Sequence, residues 1–161
     1  MAEEERVDPN VARERRKNPF RTVAVVILVD GEGKFLLVRT KRLPNEWQPI
    51  GGGVKSRDRS VSEAALREVN EETGLVLKAE ALQPIFETEY DFGEGRVHFF
   101  RASLPTGAGL RMQTEELEES SWFTLQEAER LQMFPATRKC LDFLKHGRQT
   151  TGRESDPELG G

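Results

Sequence analysis

One acidic segment constrains the fold of this chain more than any other feature: Arg67-Glu68-Val69-Asn70-Glu71-Glu72-Thr73-Gly74-Leu75. Its three glutamates fall at i, i+3 and i+4, a spacing that places them on one side of a helix. Like charges held this close repel one another, and a hard divalent cation that prefers carboxylate and water oxygens would hold them together. A run of charges is usually a solvated helix face, so the residues around the segment decide its meaning.

Those residues indicate a glycine loop, a helix with one packed face, and a stop. Ser60 and Ser62 are both candidate N-caps, and Gly74 stands where a helix ends in a left-handed conformation. The apolar stripe at helical spacing consists of Ala65, Leu66, Val69 and Thr73. A face of this kind packs inward, and the Gly51-Gly52-Gly53 loop upstream lets the backbone approach a ligand closely. The acidic cluster therefore borders a packed surface.

Hydrophobic patterning along the chain predicts an alternation of strands and helices. Strands are expected at 21–30, 35–40, 75–77, 85–92, 96–104 and 120–123. Further helices are expected at 125–133 and 136–146, after the helix that carries the glutamates. The strand at 21–30 is almost continuously apolar, which favours a central strand covered on both faces. Strands on either side of helices predict a mixed sheet between helical layers.

The stretch from Gly53 to Leu75 resembles the Nudix box, whose pattern is G-x5-E-x7-R-E-U-x-E-E-x-G-U with U a bulky aliphatic residue. The matching positions are Gly53, Arg67, Glu68, Val69, Glu71, Glu72, Gly74 and Leu75. One position departs from the pattern, because its first glutamate falls on Arg59. In the family, the glutamate at this position helps to support the site without being its central metal ligand. Either Asp58, directly before Arg59, provides this support through a one-residue displacement of the loop, or the support is missing.

The resemblance implies an α/β/α sandwich with a mixed β-sheet between helices. It also implies a hydrolase that cuts the pyrophosphate linkage of a nucleoside diphosphate joined to another group, with Mg²⁺ or Mn²⁺ as cofactor. The metal ligands that it implies are Glu68, Glu71 and Glu72. Arg67 would orient a ligand carboxylate by a charge-assisted contact, and the backbone of Gly52 and Gly53 would lie along the substrate or the metal.

A fourth acidic group is expected from outside the box. The acidic run Glu115, Glu116, Glu118 and Glu119 precedes the strand that contains Trp122-Phe123. Relatives carry a glutamate and an aliphatic residue before a Trp-Phe pair, and Glu116-Leu117 fits this best. Glu116 is thus a candidate metal ligand or general base, with a solvated acidic loop as the alternative. The candidate catalytic residues are Arg67, Glu71, Glu72 and Glu116.

The substrate is less constrained than the bond to be cut. Trp47 and Tyr90 are candidate substrate-binding residues because aromatic faces stack on nucleobases, although aromatic residues of a sheet also fill its core. Tyr90 lies at nearly the same distance from the box as a tyrosine of dinucleoside polyphosphate hydrolases. Arg39 would reach phosphates or remain an exposed strand-end charge. Nucleoside triphosphates, oxidised or not, and dinucleoside polyphosphates are the expected substrates.

Length and charge bound the remaining expectations. The 161 residues suit a Nudix domain at 19–146 between a flexible charged segment at 1–18 and a disordered tail at 147–161. The net charge of −4 gives no strong field for nucleic acid. A charged N-terminus and the absence of a membrane-length apolar run predict a cytoplasmic protein. A homodimer stays open, as does a non-catalytic Nudix-like nucleotide sensor, which Arg59 favours and the intact glutamates oppose.

Overall fold

The computed structural model describes residues 20–147, together with Pro9 and Arg13. Apart from Pro9, Arg13 and Gly147, the segments predicted to be flexible or disordered, 1–18 and 147–161, lie outside the described residues. Residues 20–147 contain six strands: β1 Phe20–Val29, β2 Phe35–Thr40, β3 Ile50–Gly53, β4 Gln83–Glu89, β5 Glu94–Ser103 and β6 Leu117–Phe123. The helices are α1 Val61–Thr73, α2 Leu125–Ala128 and α3 Pro135–His146, with a 3₁₀ turn at Ala79–Ala81.

The strands form one mixed sheet around the long strand β1. The order is β4-β5-β1-β2-β6, and β3 also pairs with β1. The β1–β5 pair is parallel and all other pairs are antiparallel. Val23–Val26 of β1 pair with β3, whereas Val29 at the other end pairs with Phe35 of β2. This division of β1 places the glycine strand β3 beside the end of β2, where the candidate site lies.

Both faces of the sheet are covered, because the side chains of β1 alternate between two apolar clusters. The cluster on the α1 face includes Ala24, Val26, Leu28, Ala64, Ala65 and Val69. The cluster on the α3 face includes Val25, Ile27, Phe99, Ala136, Cys140 and Leu141. The predicted α/β/α sandwich is confirmed. No helix within residues 20–147 is both long enough and apolar enough to cross a membrane.

Several predicted elements differ from the structure. The Gly51–Gly53 segment, predicted as a loop, belongs to strand β3 because its backbone pairs with β1. Residues 75–77 form no strand, because the chain leaves α1 through Gly74 and the Leu75 N–H bonds to Thr73 Oγ1 at 3.2 Å instead of to a neighbouring strand. Leu75 is buried and Leu77 packs against the α1-side cluster, whereas Val76 between them is 85% exposed. The helix predicted at 125–133 ends at Ala128. The chain then turns so that Leu131 and Met133 pack against the α3-side cluster.

Candidate active site

Helix α1 positions the acidic residues, and its ends are set by local chemistry. Ser60 is the N-cap, and its Oγ accepts the N–H of Glu63 at 3.0 Å. At the other end, Gly74 has a φ of 81° and its N–H donates to Asn70 O at 2.9 Å. A left-handed φ of this kind is readily adopted by glycine. The two predicted N-cap alternatives thus resolve to Ser60, and the predicted glycine stop is present.

The glutamates of α1 differ in burial. Glu68 and Glu72 are each only 7% exposed, although they are acidic. The Glu71 side chain is 45% exposed. The apolar stripe of Ala65, Val69 and Thr73 is buried as predicted, while Leu66 is half-buried. The acidic cluster therefore lies at the edge of a packed surface, with two of its carboxylates removed from bulk water.

The glycine strand β3 is fitted to these carboxylates. A Cβ atom on Gly52 would lie 2.6 Å from Glu68 Oε2, closer than real Cβ contacts. The backbone N–H of Gly51 donates to the Glu72 carboxylate. Absence of a side chain at position 52 thus allows backbone and carboxylate to approach, as the glycine run predicted.

Arg67 is the centre of an ion-pair network. Its Nε donates to Asp58 Oδ1 at 3.0 Å and its Nη2 donates to Asp58 Oδ2 at 2.8 Å, a bidentate arrangement. Its Nη1 reaches Glu68 Oε2 at 3.1 Å and Glu71 Oε1 at 3.4 Å, and Nη2 also donates to Gly53 O. The hydrogen bond from Arg67 lowers the pKa of Asp58 to about 2, against the opposing effect of burial. Arg67 is thereby held between the loop and two of the predicted metal ligands.

The departure at Arg59 leaves this network intact. The Arg59 side chain is 89% exposed and pairs with Glu63 at 3.3 Å, on the outside of the helix. The Asp58 side chain is only 4% exposed and forms the ion pair with Arg67. A carboxylate therefore reaches Arg67 from one residue earlier in the chain than the family pattern has it.

Backbone hydrogen bonds hold the loop that carries Glu116 at the edge of the site. The Gln113 N–H donates to Glu72 O at 2.9 Å, which ties the incoming segment to the end of α1. The Lys41 N–H donates to Glu116 O at 2.8 Å, which ties the segment to the end of β2. The Glu116 N–H donates to Gln113 Oε1 at 2.6 Å. The acidic loop is in this way held against α1, with Glu116 exposed at its end.

These carboxylates fit a divalent cation by their charge and chemistry. Burial raises the pKa of Glu72, and the nearby carboxylates of Glu68 and Glu116 raise it further. A cation among them would remove that repulsion and favour the ionised forms, since hard divalent cations prefer carboxylate oxygens. Within the described residues, no group of three or more acidic, histidine or cysteine side chains is arranged so that it could hold a metal ion.

A cavity of about 360 Å³ brings the acidic residues together with basic ones. Its acidic lining residues are Glu68, Glu71, Glu72, Glu115 and Glu116. Its basic lining residues are Arg21, Lys41, Arg42 and Lys55. The backbone of Gly51–Gly53 completes the wall between them. One cavity thus offers oxygen ligands for a cation and nitrogen donors for an anion.

Some of the predicted substrate-binding residues line a cavity and others do not. Gly52 and Gly53 line this cavity, and Tyr90 lines a smaller neighbouring one. The structure does not bring Arg39 and Trp47 to either cavity. Arg39 pairs with Glu119 and lies 5.3 Å from the centre of the Trp47 ring, which packs on Phe123. Their side chains stabilise the β2–β6 side of the sheet.

Several residues that line the cavities were not predicted from the sequence, among them Arg21, Lys55 and Gln48. Arg21 precedes an apolar run, and the sequence pattern there indicates only a strand. Because β1 pairs with β3, the first residues of β1 lie beside the glycines of β3. Lys55 lies two residues after the glycine strand, and this proximity to the glycines could have identified it from the sequence. No sequence signal pointed to Gln48, because its position depends on an isolated β-bridge to Val38.

A family model described as the NUDIX domain matches residues 19–144 of this chain. The chain belongs to the Nudix hydrolase family. The match covers every strand and nearly all of the last helix, and the predicted family assignment is confirmed. Within this Nudix domain the box extends from β3 through α1, and its departure at Arg59 lies in the connecting loop.

Two Nudix relatives show the breadth of the family. The NAD-capped RNA hydrolase NudC of Deinococcus radiodurans is 31% identical over 133 residues, which cover 79% of this chain and 46% of that protein. The chain thus spans about half the length of that relative. Diphosphoinositol polyphosphate phosphohydrolase 2 of Mus musculus is 28% identical over 160 residues, covering 94% of this chain and 86% of that protein.

Solved Nudix structures support the fold. A MutT NUDIX hydrolase from Burkholderia pseudomallei matches with a TM-score of 0.64 and 24% identity, covering 76% of this chain and 95% of that chain. A C. elegans Ap4A hydrolase in a binary complex matches with a TM-score of 0.64 and 20% identity, covering 79% and 96%. At these identities the similarity shows the shared architecture alone.

Proposed function

We propose that this chain is a divalent-metal-dependent hydrolase that cleaves the pyrophosphate linkage of a nucleoside diphosphate joined to another group. The observation that carries this proposal is the single cavity in which the buried carboxylates of Glu68 and Glu72 share a wall with basic side chains such as Lys41. Carboxylates bind a hard cation, and lysine and arginine bind phosphate oxygens. A diphosphate with its Mg²⁺ or Mn²⁺ ion satisfies both sets.

Each charged group has a role in this proposal. The residues that would hold the cation are Glu68, Glu71, Glu72 and Glu116. When bound, the cation supplies charge neutralisation at phosphate oxygens and Lewis-acid activation of water. Arg67 positions the carboxylates of Glu68 and Glu71 and is itself held by Asp58. Glu116, exposed at the end of its loop, is the candidate to accept a proton from the attacking water.

Nucleoside triphosphates, including oxidised ones, and dinucleoside polyphosphates are the proposed substrates. The basic wall formed by Arg21, Lys41, Arg42 and Lys55 suits a chain of several phosphates. Relatives named for hydrolysis of NAD-capped RNA and of diphosphoinositol polyphosphate support the reaction class. The alternative of a non-catalytic sensor loses the support of Arg59, because Asp58 meets Arg67 in its place.

The proposal is tested by hydrolysis assays with Mg²⁺ or Mn²⁺. Nucleoside triphosphates, 8-oxo derivatives, dinucleoside polyphosphates and NAD-capped RNA are compared by product analysis. Glu72→Gln removes a buried ligand charge while keeping the side-chain shape, and kcat/KM should fall by at least about a hundredfold. Glu80→Gln is the matched control, since Glu80 is exposed and outside the cavity. Near wild-type turnover by folded Glu72→Gln would contradict the metal-site assignment.

A further inference from the structure

The loop that brings Glu116 to the cavity is built on the end of helix α1. The last carbonyl groups of a helix have no partner within that helix. This loop bonds two of them in α1, because the Arg111 N–H donates to Thr73 O at 2.8 Å and the Gln113 N–H donates to Glu72 O at 2.9 Å. The loop therefore takes its position from the same helix that carries the other candidate metal ligands.

The Gln113 side chain extends this attachment to Glu116. Its Oε1 accepts the Glu116 N–H at 2.6 Å and closes the turn at 114–116. From the other side, the Glu116 carbonyl accepts the Lys41 N–H at 2.8 Å. Both backbone polar groups of Glu116 are thus bonded, one of them to a side chain that can be changed by mutation.

The position of Glu116 depends on such contacts more than the positions of the helical glutamates do. Glu116 is exposed and lies on the connection between β5 and β6, yet its side chain lines the same cavity as Glu72. A general base acts only within hydrogen-bonding reach of the water that it activates, and a displacement of about 1 Å is enough to slow a reaction. Gln113 itself is half-buried and lines neither cavity, so any effect on the reaction must pass through Glu116.

We propose that Gln113 is a positioning residue for hydrolysis: by bonding the Glu116 backbone to the end of α1, it keeps the Glu116 carboxylate at the cavity beside Glu72. This inference rests on the proposed function, since it takes Glu116 to accept the proton of the attacking water. Gln113 contacts neither phosphate nor cation in this arrangement. It therefore sets the rate of the bond-breaking step and leaves the affinity for the substrate unchanged.

Steady-state kinetics test this separation of rate from affinity. Gln113→Met keeps the length of the side chain and removes the acceptor. With ATP, 8-oxo-dGTP or diadenosine tetraphosphate at saturating Mg²⁺, its kcat should fall about tenfold with an unchanged KM. Gln113→Glu keeps an acceptor oxygen at the same length and should recover most of the lost kcat. Gln126→Met is the matched control and should match the wild type, because Gln126 is exposed and outside both cavities.

A double-mutant cycle shows whether Gln113 acts through Glu116. Glu116→Gln alone should lower kcat about a hundredfold, since it removes the general base. Addition of Gln113→Met to this variant should change kcat less than about twofold, because no carboxylate remains to be positioned. A purely structural role for Gln113 would lower kcat by the same factor in both backgrounds, and that result overturns the inference.

Hydrogen exchange of the Glu116 amide, followed by NMR in the metal-free protein, tests the contact without turnover. Exchange should be about tenfold faster in Gln113→Met than in the wild type, and unchanged in Gln126→Met. Equal exchange rates in Gln113→Met and the wild type overturn the inference, and so does a wild-type kcat in folded Gln113→Met. Failure of the wild-type chain to hydrolyse any of the substrates refutes the proposed function as well, whereas an active wild type with an unaffected variant refutes the positioning role alone.

Discussion

Replacement of Asp58 by asparagine tests whether this residue completes the Nudix site. The Asp58 carboxylate forms two hydrogen bonds with Arg67, at 3.0 and 2.8 Å, and accepts the N–H of Lys55 at 2.7 Å. Asparagine keeps the shape but removes the negative charge and replaces one acceptor oxygen by a donor that faces the guanidinium. Arg67 would then lose its principal counter-charge while remaining only 14% exposed.

The expected loss of stability follows from the pKa of Asp58. The Arg67 hydrogen bond is the main cause that lowers this pKa from 3.8 to about 2. Each pKa unit corresponds to ~1.4 kcal/mol, so the pair contributes about 2 kcal/mol at neutral pH. Hydrogen bonds to charged groups contribute about 1.5–3 kcal/mol, which agrees. Asp58→Asn should therefore lower the free energy of unfolding by about 2 kcal/mol in urea titrations at pH 7.

The pH dependence has a definite sign. Because the pKa of Asp58 is lower in the folded state, its contribution is fully present above the unfolded value of 3.8 and is lost as the pH falls towards about 2. The stability difference between the wild type and Asp58→Asn should be the same at pH 7 and pH 5. It should shrink at pH 3. A difference that stays constant down to pH 3 would refute the assignment to this charge.

Activity assays give the functional half of the same test. Without its partner, Arg67 holds Glu68 and Glu71 less firmly, so the kcat/KM of Asp58→Asn should fall about tenfold and its Mg²⁺ requirement should rise. Arg59→Gln is the control at the neighbouring position, and should change activity less than twofold because that side chain is 89% exposed. Arg59→Glu restores the family pattern yet should give no gain. A large gain in Arg59→Glu would show that Asp58 does not fill the role.

Two further predictions concern other positions. Gly52→Ala should raise the Mg²⁺ concentration needed for half-maximal activity about tenfold, because a Cβ there would lie 2.6 Å from Glu68 Oε2. Gly109→Ala is the control, since no atom lies within 4 Å of a Cβ at that position. Equal Mg²⁺ dependence of the two variants would count against a metal site at Glu68. Trp47→Ala should lower the unfolding free energy by about 3 kcal/mol with an unchanged KM, because the ring packs on Phe123 outside both cavities. A raised KM without loss of stability would show that Trp47 contacts the substrate.

The helix and its carboxylates were predictable from the sequence because their determinants are local. The serine cap, the apolar stripe and Gly74 lie within one continuous segment, and each acts on its nearest neighbours. The central strand was equally visible, since β1 is covered on both faces and reads as an almost continuous apolar run. Local periodicity therefore gave the scaffold of the site and three of its candidate ligands.

The rest of the site depends on contacts between segments far apart in the chain. Lys41 meets Glu116 only because β2 pairs with β6, and Arg21 approaches the glycines only because β3 pairs with β1. The sequence does not distinguish aromatic residues that line a cavity from those that pack in the sheet. Tyr90 lines a cavity, whereas Trp47 packs on Phe123 at the edge of the sheet. An apolar triplet at 75–77 resembles a strand in isolation, but within residues 20–147 it pairs with no strand.

Position 59 illustrates how a motif and its physical requirement differ. The motif specifies a carboxylate at a fixed count of residues, whereas Arg67 requires only a carboxylate oxygen at hydrogen-bonding distance. The loop provides one from position 58 because Asp58 also closes a tight turn, with its N–H donating to Lys55 O at 2.9 Å and its Oδ2 accepting the Lys55 N–H. The turn brings the shorter aspartate side chain close enough to reach Arg67. Arg59 is then released to the outside, where it pairs with Glu63 without entering the site. The departure from the pattern thus changes which residue supplies the carboxylate and leaves the contact itself in place.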